Sequence, residues 1–285
     1  MMKKLLLLAI LFISVVVTGC GDKFAKDKEE ILKAEKAALA MEVPAIAMPD
    51  YSKGFKKQDY EIYRTNFKKL LEVEDKIVAE TRKSDAKIAE LLKKAENDSE
   101  KKSLQEFQEK LRKDRIEFVR KVSKDRLSGD TFVVGVGSSW QEVEMVYGKP
   151  QNEGKESKGF KDYKYDGIAF RDWIGGGAYP ANHPRLVNWK STKVQSVVVT
   201  GNNFTSDAGV KIGMTRDEVL KTLKEKYVKK EARQKEELYL SKGYAPYSKD
   251  YFDVIVLYSM KDTLPYNIFP SYKEGKLVSY GVSPH

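Results

Sequence analysis

Between Asp59 and Ala95 the chain sustains a heptad seam, and few folds accommodate one. Tyr60, Tyr63, Phe67, Leu70, Ile77, Thr81, Ile88, Leu91 and Ala95 fall on alternating three- and four-residue steps, with Glu74 and Ser84 completing the series. This spacing lines one face of an α-helix and demands a partner helix. At 1.5 Å per residue the helix is roughly 55 Å long. Asn97-Asp98-Ser99-Glu100 then breaks it, and Asn97 with Glu100 has capping-box spacing for a new start. The next helix runs to about Leu127, with Leu104, Phe107, Leu111, Phe118 and Val122 on its seam. So short a connector between two long amphipathic helices predicts an antiparallel hairpin. Residues 23–42 read as an earlier helix carrying Phe24, Ile31, Ala34, Ala38 and Leu39, stopped by Pro44 and Pro49. Residues 20–128 are therefore expected to form a helical hairpin or three-helix bundle, a slender stalk. Glu74, Ser84 and Asp114 or Arg115 interrupt the seam, fixing register or marking where the bundle is thin and wet. The basic cluster from Lys110 to Arg126 lies near a helix C-terminus, where cations oppose the dipole.

At Ser128-Gly129-Asp130 the period changes from helical to alternating and aromatic residues become frequent. Beyond this boundary one stretch recurs without a gap. Val134-Gly135-Val136-Gly137-Ser138-Ser139-Trp140-Gln141-Glu142-Val143 matches Val210-Lys211-Ile212-Gly213-Met214-Thr215-Arg216-Asp217-Glu218-Val219 at an offset of 76. In each copy an extended segment reaches a turn glycine, and Ser139 or Thr215 caps a short helix with Glu142 or Glu218 three residues on. The first helix ends at Gly148-Lys149-Pro150 and the second near Tyr227. Strand-like segments follow: Tyr163 to Phe170 and Lys193 to Thr200 in the first copy, then Leu238 to Leu240, Phe252 to Tyr258 and Lys276 to Val282 in the second. The expected fold class is α+β: helices first, then two repeats of a short helix plus antiparallel strands, over 129–205 and 206–285.

The repeat pattern resembles the superfamily of small outer-membrane-assembly lipoproteins of the SmpA/OmlA type and β-lactamase-inhibitor-like proteins. The resemblance spans residues 130–285 and rests on about ten residues per copy. It implies a non-enzymatic module that binds a protein partner or assists assembly. The long helical segment is a departure from the small lipoproteins.

The N-terminus carries a second resemblance. Lys3 and Lys4 precede an apolar run from Leu5 to Val17, the layout of a secretory signal peptide and too short for a membrane span. Val17-Thr18-Gly19-Cys20 resembles the bacterial lipobox. That likeness implies removal of residues 1–19, lipidation of Cys20 and a membrane tether at the new N-terminus, in the bacterial envelope. Cys20 is the only cysteine, so a monomer forms no disulfide and no thiolate metal cluster. Two or more acyl chains would anchor the protein stably.

Nothing in the sequence assembles a catalytic or metal-binding constellation, and no cofactor is called for. His183 lies between prolines and His285 is the last residue. Gly135-x-Gly137 has Trp140 where a dinucleotide fingerprint needs its third glycine, and Gly175-Gly176-Gly177 lacks the Lys-Ser/Thr of a phosphate loop. Asp250 and Asp253 read as solvated carboxylates. The full chain has a net charge of +10; without Lys3 and Lys4 of the leader it is +8, shared evenly as +4 in each part of the mature chain, unlike the focused basic face of a nucleic-acid binder. Six aromatics in or beside loops stand out: Trp173, Tyr179 and Trp189 in the first copy, Tyr244, Tyr247 and Tyr251 in the second. They are expected to form one surface for a protein or glycan partner. The leading expectation is an envelope binding, scaffold or assembly protein. The alternatives are a wall-polymer enzyme or glycan-binding protein, and a mainly structural stalk.

Overall fold

The computed structural model describes residues 22–46, 57–124, 127, 131–154, 160–173, 193–227, 238–244, 251–257 and 266–284. Helix α1 spans Ala25–Leu39, α2 Lys57–Lys94 and α3 Asp98–Ser123. The seam of α2 is buried at every position from Tyr63 through Phe67, Leu70, Glu74, Ile77, Thr81, Ser84 and Ile88 to Leu91. On α3 the most buried residues are Leu104, Leu111, Arg115, Val119 and Ser123, while Phe107, Phe118 and Val122 are only partly buried. The apolar stripe therefore shifts by one residue late in the helix, as a 3.6-residue turn drifts against a seven-residue repeat. Asn97 caps α3 by accepting the Glu100 N–H at 2.9 Å. The Glu100 carboxylate accepts from the N–H of Glu96, at 2.8 Å, so the expected box closes one residue early.

The repeats fold as α4 (Trp140–Tyr147), β1 (Asn152–Glu153), β2 (Phe160–Tyr165), β3 (Ile168–Trp173) and β4 (Ser196–Val199), then α5 (Arg216–Tyr227), β5 (Leu238–Tyr244), β6 (Tyr251–Leu257), β7 (Tyr266–Lys273) and β8 (Lys276–Pro284). The class is α+β, helices preceding an antiparallel sheet. The recurring stretch is recurring structure. Gly137 and Gly213 take the left-handed conformation with φ of 95° and 93°, which glycine adopts without a Cβ penalty. Gly137 N–H donates to Val194 O and Gly213 N–H to Leu277 O, at 3.0 and 2.8 Å. Ser139 with Glu142 forms a full capping box, and Thr215 with Glu218 exchanges the same pair of bonds.

Two features of the sheet differ from the sequence reading. Tyr163 to Phe170 is a hairpin and not one strand, because Asp166-Gly167 makes a two-residue turn with Gly167 at φ 72°. Strand β7 has no counterpart in that reading, since Pro270 interrupts its pattern. All eight strands join in the order β1-β2-β3-β4-β8-β7-β6-β5. The copies are thus mirrored in strand order and meet where Val197 pairs with Val282 and Val199 with Tyr280.

One face of this sheet supplies Ile168, Phe170, Val197, Val199, Ile268, Tyr280 and Val282 to a core with Val143 and Val146 of α4 and Val219 and Leu223 of α5. The same core takes in Ala38, Ile77, Val78 and Val119, so the helices share their interior with the repeats. At the opposite end of the bundle Phe24, Ile31, Ile88, Leu91, Leu104 and Leu111 form a second cluster.

Candidate functional site

Strand alternation leaves the other sheet face without the helical packing. On β4, Val197 and Val199 are buried whereas Val198 is 40% exposed. Val198 pairs with Ala169 on one side and with Gly281 on the other, and Gly281 pairs with Phe269. Ala169, Val198, Gly281 and Phe269 therefore form an apolar row over four strands, centred on the join between the two copies. A Cβ placed on Gly281 would lie 3.6 Å from that of Phe269 and 3.8 Å from its ring, so the Phe269 side chain lies against the glycine and Val198 is the most exposed member of the row. Val278, 41% exposed, extends the same region where the β7–β8 register shifts.

A polar junction fastens the helices to the first repeat. The carboxylate of Glu74, fully buried on the α2 seam, accepts from the hydroxyl of Ser139, the cap of α4, at 2.6 Å. The seam interruption at Glu74 is neither a register device within the bundle nor a wet spot; it is a docking contact. Arg82 clamps Glu144 through two bonds of 2.5 and 2.6 Å, and Gln141 donates to Asp75 at 2.8 Å. Sequence reasoning missed these contacts, whose partners lie more than sixty residues apart.

Lys193 is the most unusual group of the junction. It is 96% buried, its ammonium donates to the Tyr63 hydroxyl, and it lies 4.4 and 4.5 Å from the ring centres of Tyr63 and Phe67. Burial pushes its pKa down to about 7. The unfolded chain holds that proton up to the ordinary lysine value of about 10.4, so it binds more protons than the folded chain between pH 7 and 10. Stability contributed at this residue therefore rises with pH across that window and is flat below it. Lys193→Met is expected to remove this rise. Urea midpoints of both proteins at pH 7 and pH 10 test it, and parallel changes in the two would refute it.

The six loop aromatics are not brought together by the described backbone. Tyr179, Trp189 and Tyr247 lie outside the described residues, as do Cys20, His183, His285, Asp250 and the triple glycine. Trp173 ends β3, while Tyr244 ends β5 and Tyr251 opens β6 as its register partner. The antiparallel order of the intervening strands puts Trp173 at one end of the strands and the tyrosine pair at the other. The mirrored order also makes the β7–β8 turn at Glu274-Gly275, not the β5–β6 connection, the counterpart of the β3–β4 connection. The single aromatic surface is corrected to that extent.

Among the described residues, no group of three His, Cys, Asp or Glu side chains is placed to hold a metal ion. No helix of the described residues is long and apolar enough to cross a membrane. Comparisons of the chain with protein-family models, curated proteins and solved structures each find no match.

Proposed function

We propose that this chain is a lipid-tethered lipoprotein of the bacterial envelope, acting as a non-catalytic module that binds a protein partner. Its location follows from the basic start, the apolar run and Val17-Thr18-Gly19-Cys20. The path of the following residues fits a tether. Lys23 donates to Glu96 at 2.6 Å and to Lys94 O at 3.4 Å, at the turn of the α2–α3 hairpin, and Phe24 is buried there. The described chain therefore begins beside the hairpin turn, two residues after Cys20. Glu74 and Arg82, which grip the first repeat, stand about 30 and 18 Å back along α2 from its last residue, Lys94, at 1.5 Å per residue. The helices would thus hold the repeats away from the bilayer.

The observation that carries the binding role is the apolar row Ala169, Val198, Gly281, Phe269, which runs unbroken over the seam between the copies. An exposed valine among apolar neighbours at the centre of a sheet face is suited to a protein partner.

Two measurements test the two halves of the proposal. Cys20→Ser should move the protein from the membrane fraction to the soluble fraction; retention would refute the tether. A photo-crosslinking residue at Val198, used in native envelopes, should give a discrete adduct that the same residue at Ile62, 54% exposed on α2, does not. Equal yields at both positions would refute the sheet face as the binding surface.

A further inference from the structure

A groove of about 470 Å³ lies where α3 passes the first repeat, away from the sheet face. This is within the roughly 300–1,000 Å³ usual for small-molecule sites. Gln105, Gln108 and Arg112 line it from one side of α3, at helical spacing. The end of α4, the β2–β3 turn and the loop after β4 form the opposite wall.

Its lining falls into three chemical sets. Four amides face the space: Gln105, Gln108, Gln151 and Asn203. Three rings edge it: Tyr147, Tyr165 and Phe204, half-buried and tilted against one another, with Tyr147 5.5 Å from Tyr165 and 6.1 Å from Phe204. Both tyrosine hydroxyls are engaged, donating to Phe132 O at 3.1 Å and to Gly148 O of the groove wall at 3.3 Å, which leaves ring carbon as the uncommitted surface of these residues. Charges of both signs balance, with Asp85, Glu109 and Asp166 set against Arg112, Arg115 and Lys149.

Each set narrows the ligand. Balanced charge disfavours a polyanion or phosphate, which would need a net positive lining. An acyl chain would strip water from four amides and leave them unpaired. A carboxamide both donates and accepts, matching hydroxyl groups that do the same, while ring carbon suits the C–H face of a pyranose. We infer that this groove binds a short uncharged oligosaccharide, its hydroxyls held by the amides of α3 and Asn203 and its ring edge laid on Tyr165 and Phe204. The site is separate from the sheet face and stands or falls independently of the tether.

Calorimetric titration of the full chain in detergent with chitotriose, maltotriose and cellotriose tests the inference, with trialanine and inorganic phosphate alongside. At least one trisaccharide should bind at millimolar concentration or below. The double substitution Gln105→Ala with Gln108→Ala should weaken it about tenfold, two hydrogen bonds being lost. Both glutamines are exposed on a helix that alanine favours, so melting should be unchanged. Silence of all three trisaccharides, binding of trialanine or phosphate in their place, or saccharide affinity untouched by the double substitution would each overturn it.

Discussion

Arg115→Ala is expected to destabilise the protein by about 3–5 kcal/mol, the usual result of removing one partner from a buried ion pair. The guanidinium of Arg115 on α3 grips Glu35 of α1 with Nε and Nη2 at 2.7 and 2.9 Å. Its remaining edge holds Asp85 of α2 at 2.9 and 3.1 Å and reaches Thr81 O at 3.4 Å. One side chain thus ties three helices together. Glu35 is 1% exposed, so losing its cation would leave a carboxylate where water cannot reach it. Replacing both members with apolar residues of similar volume, Arg115→Met with Glu35→Leu, should recover most of the loss, because the desolvation of the pair then disappears along with its attraction. Asp85, more than a third exposed, should matter far less, with Asp85→Ala costing about 1 kcal/mol or below. Urea midpoints of the three variants check the series. A single substitution Arg115→Ala that costs less than 1 kcal/mol would mean that water enters the bundle beside Glu35.

The two-helix seam and the repeat were legible because each is a local pattern. A stripe on α2 or a capping box at Ser139 and Thr215 needs only neighbouring residues to be recognised. Long-range partners carry no such mark. Glu74 reads as a flaw in the seam until Ser139, sixty-five residues away, is found against it. Arg115 reads the same way until Glu35 and Asp85 appear. The joining of β4 to β8 was equally hidden, since edge pairing is decided by which strands the helices bring together. That one fact also misdirected the aromatics. Treating the copies as translated units pairs the Trp173 region with that of Tyr244, whereas the mirrored sheet pairs the β3–β4 connection with the turn at Glu274-Gly275. The groove drew on α2, α3, the end of α4, a hairpin turn and a loop, so no window of sequence contained it.

The hairpin turn at one wall of that groove is where a single methyl group should be most damaging. Gly167 has φ 72°, and its carbonyl accepts two N–H groups, from Thr200 at 2.9 Å and Gly201 at 2.8 Å. The chain after β4 therefore lies directly on the turn. A Cβ added at Gly167 would stand 2.6 Å from Gly201 Cα and 3.1 Å from both Gly201 N and the Phe204 ring. Two of these contacts are backbone held by the very bonds that fix the turn, so they cannot swing aside as a side-chain tip could. Gly167→Ala should accordingly combine left-handed strain of about 1–2 kcal/mol with overpacking of about 1–3 kcal/mol. Gly275 separates the two contributions. It is likewise the second residue of a two-residue hairpin turn, at φ 74°, but has nothing within 4 Å of the added atom. Gly275→Ala should therefore show the backbone strain alone, about 1–2 kcal/mol. If thermal or urea unfolding finds the two substitutions equally costly, the close approach of Gly167 and Gly201 contributes nothing. If Gly167→Ala is the worse by about 1 kcal/mol or more, backbone contact holds the β2–β3 turn against the loop that carries Asn203 and Phe204 to the groove.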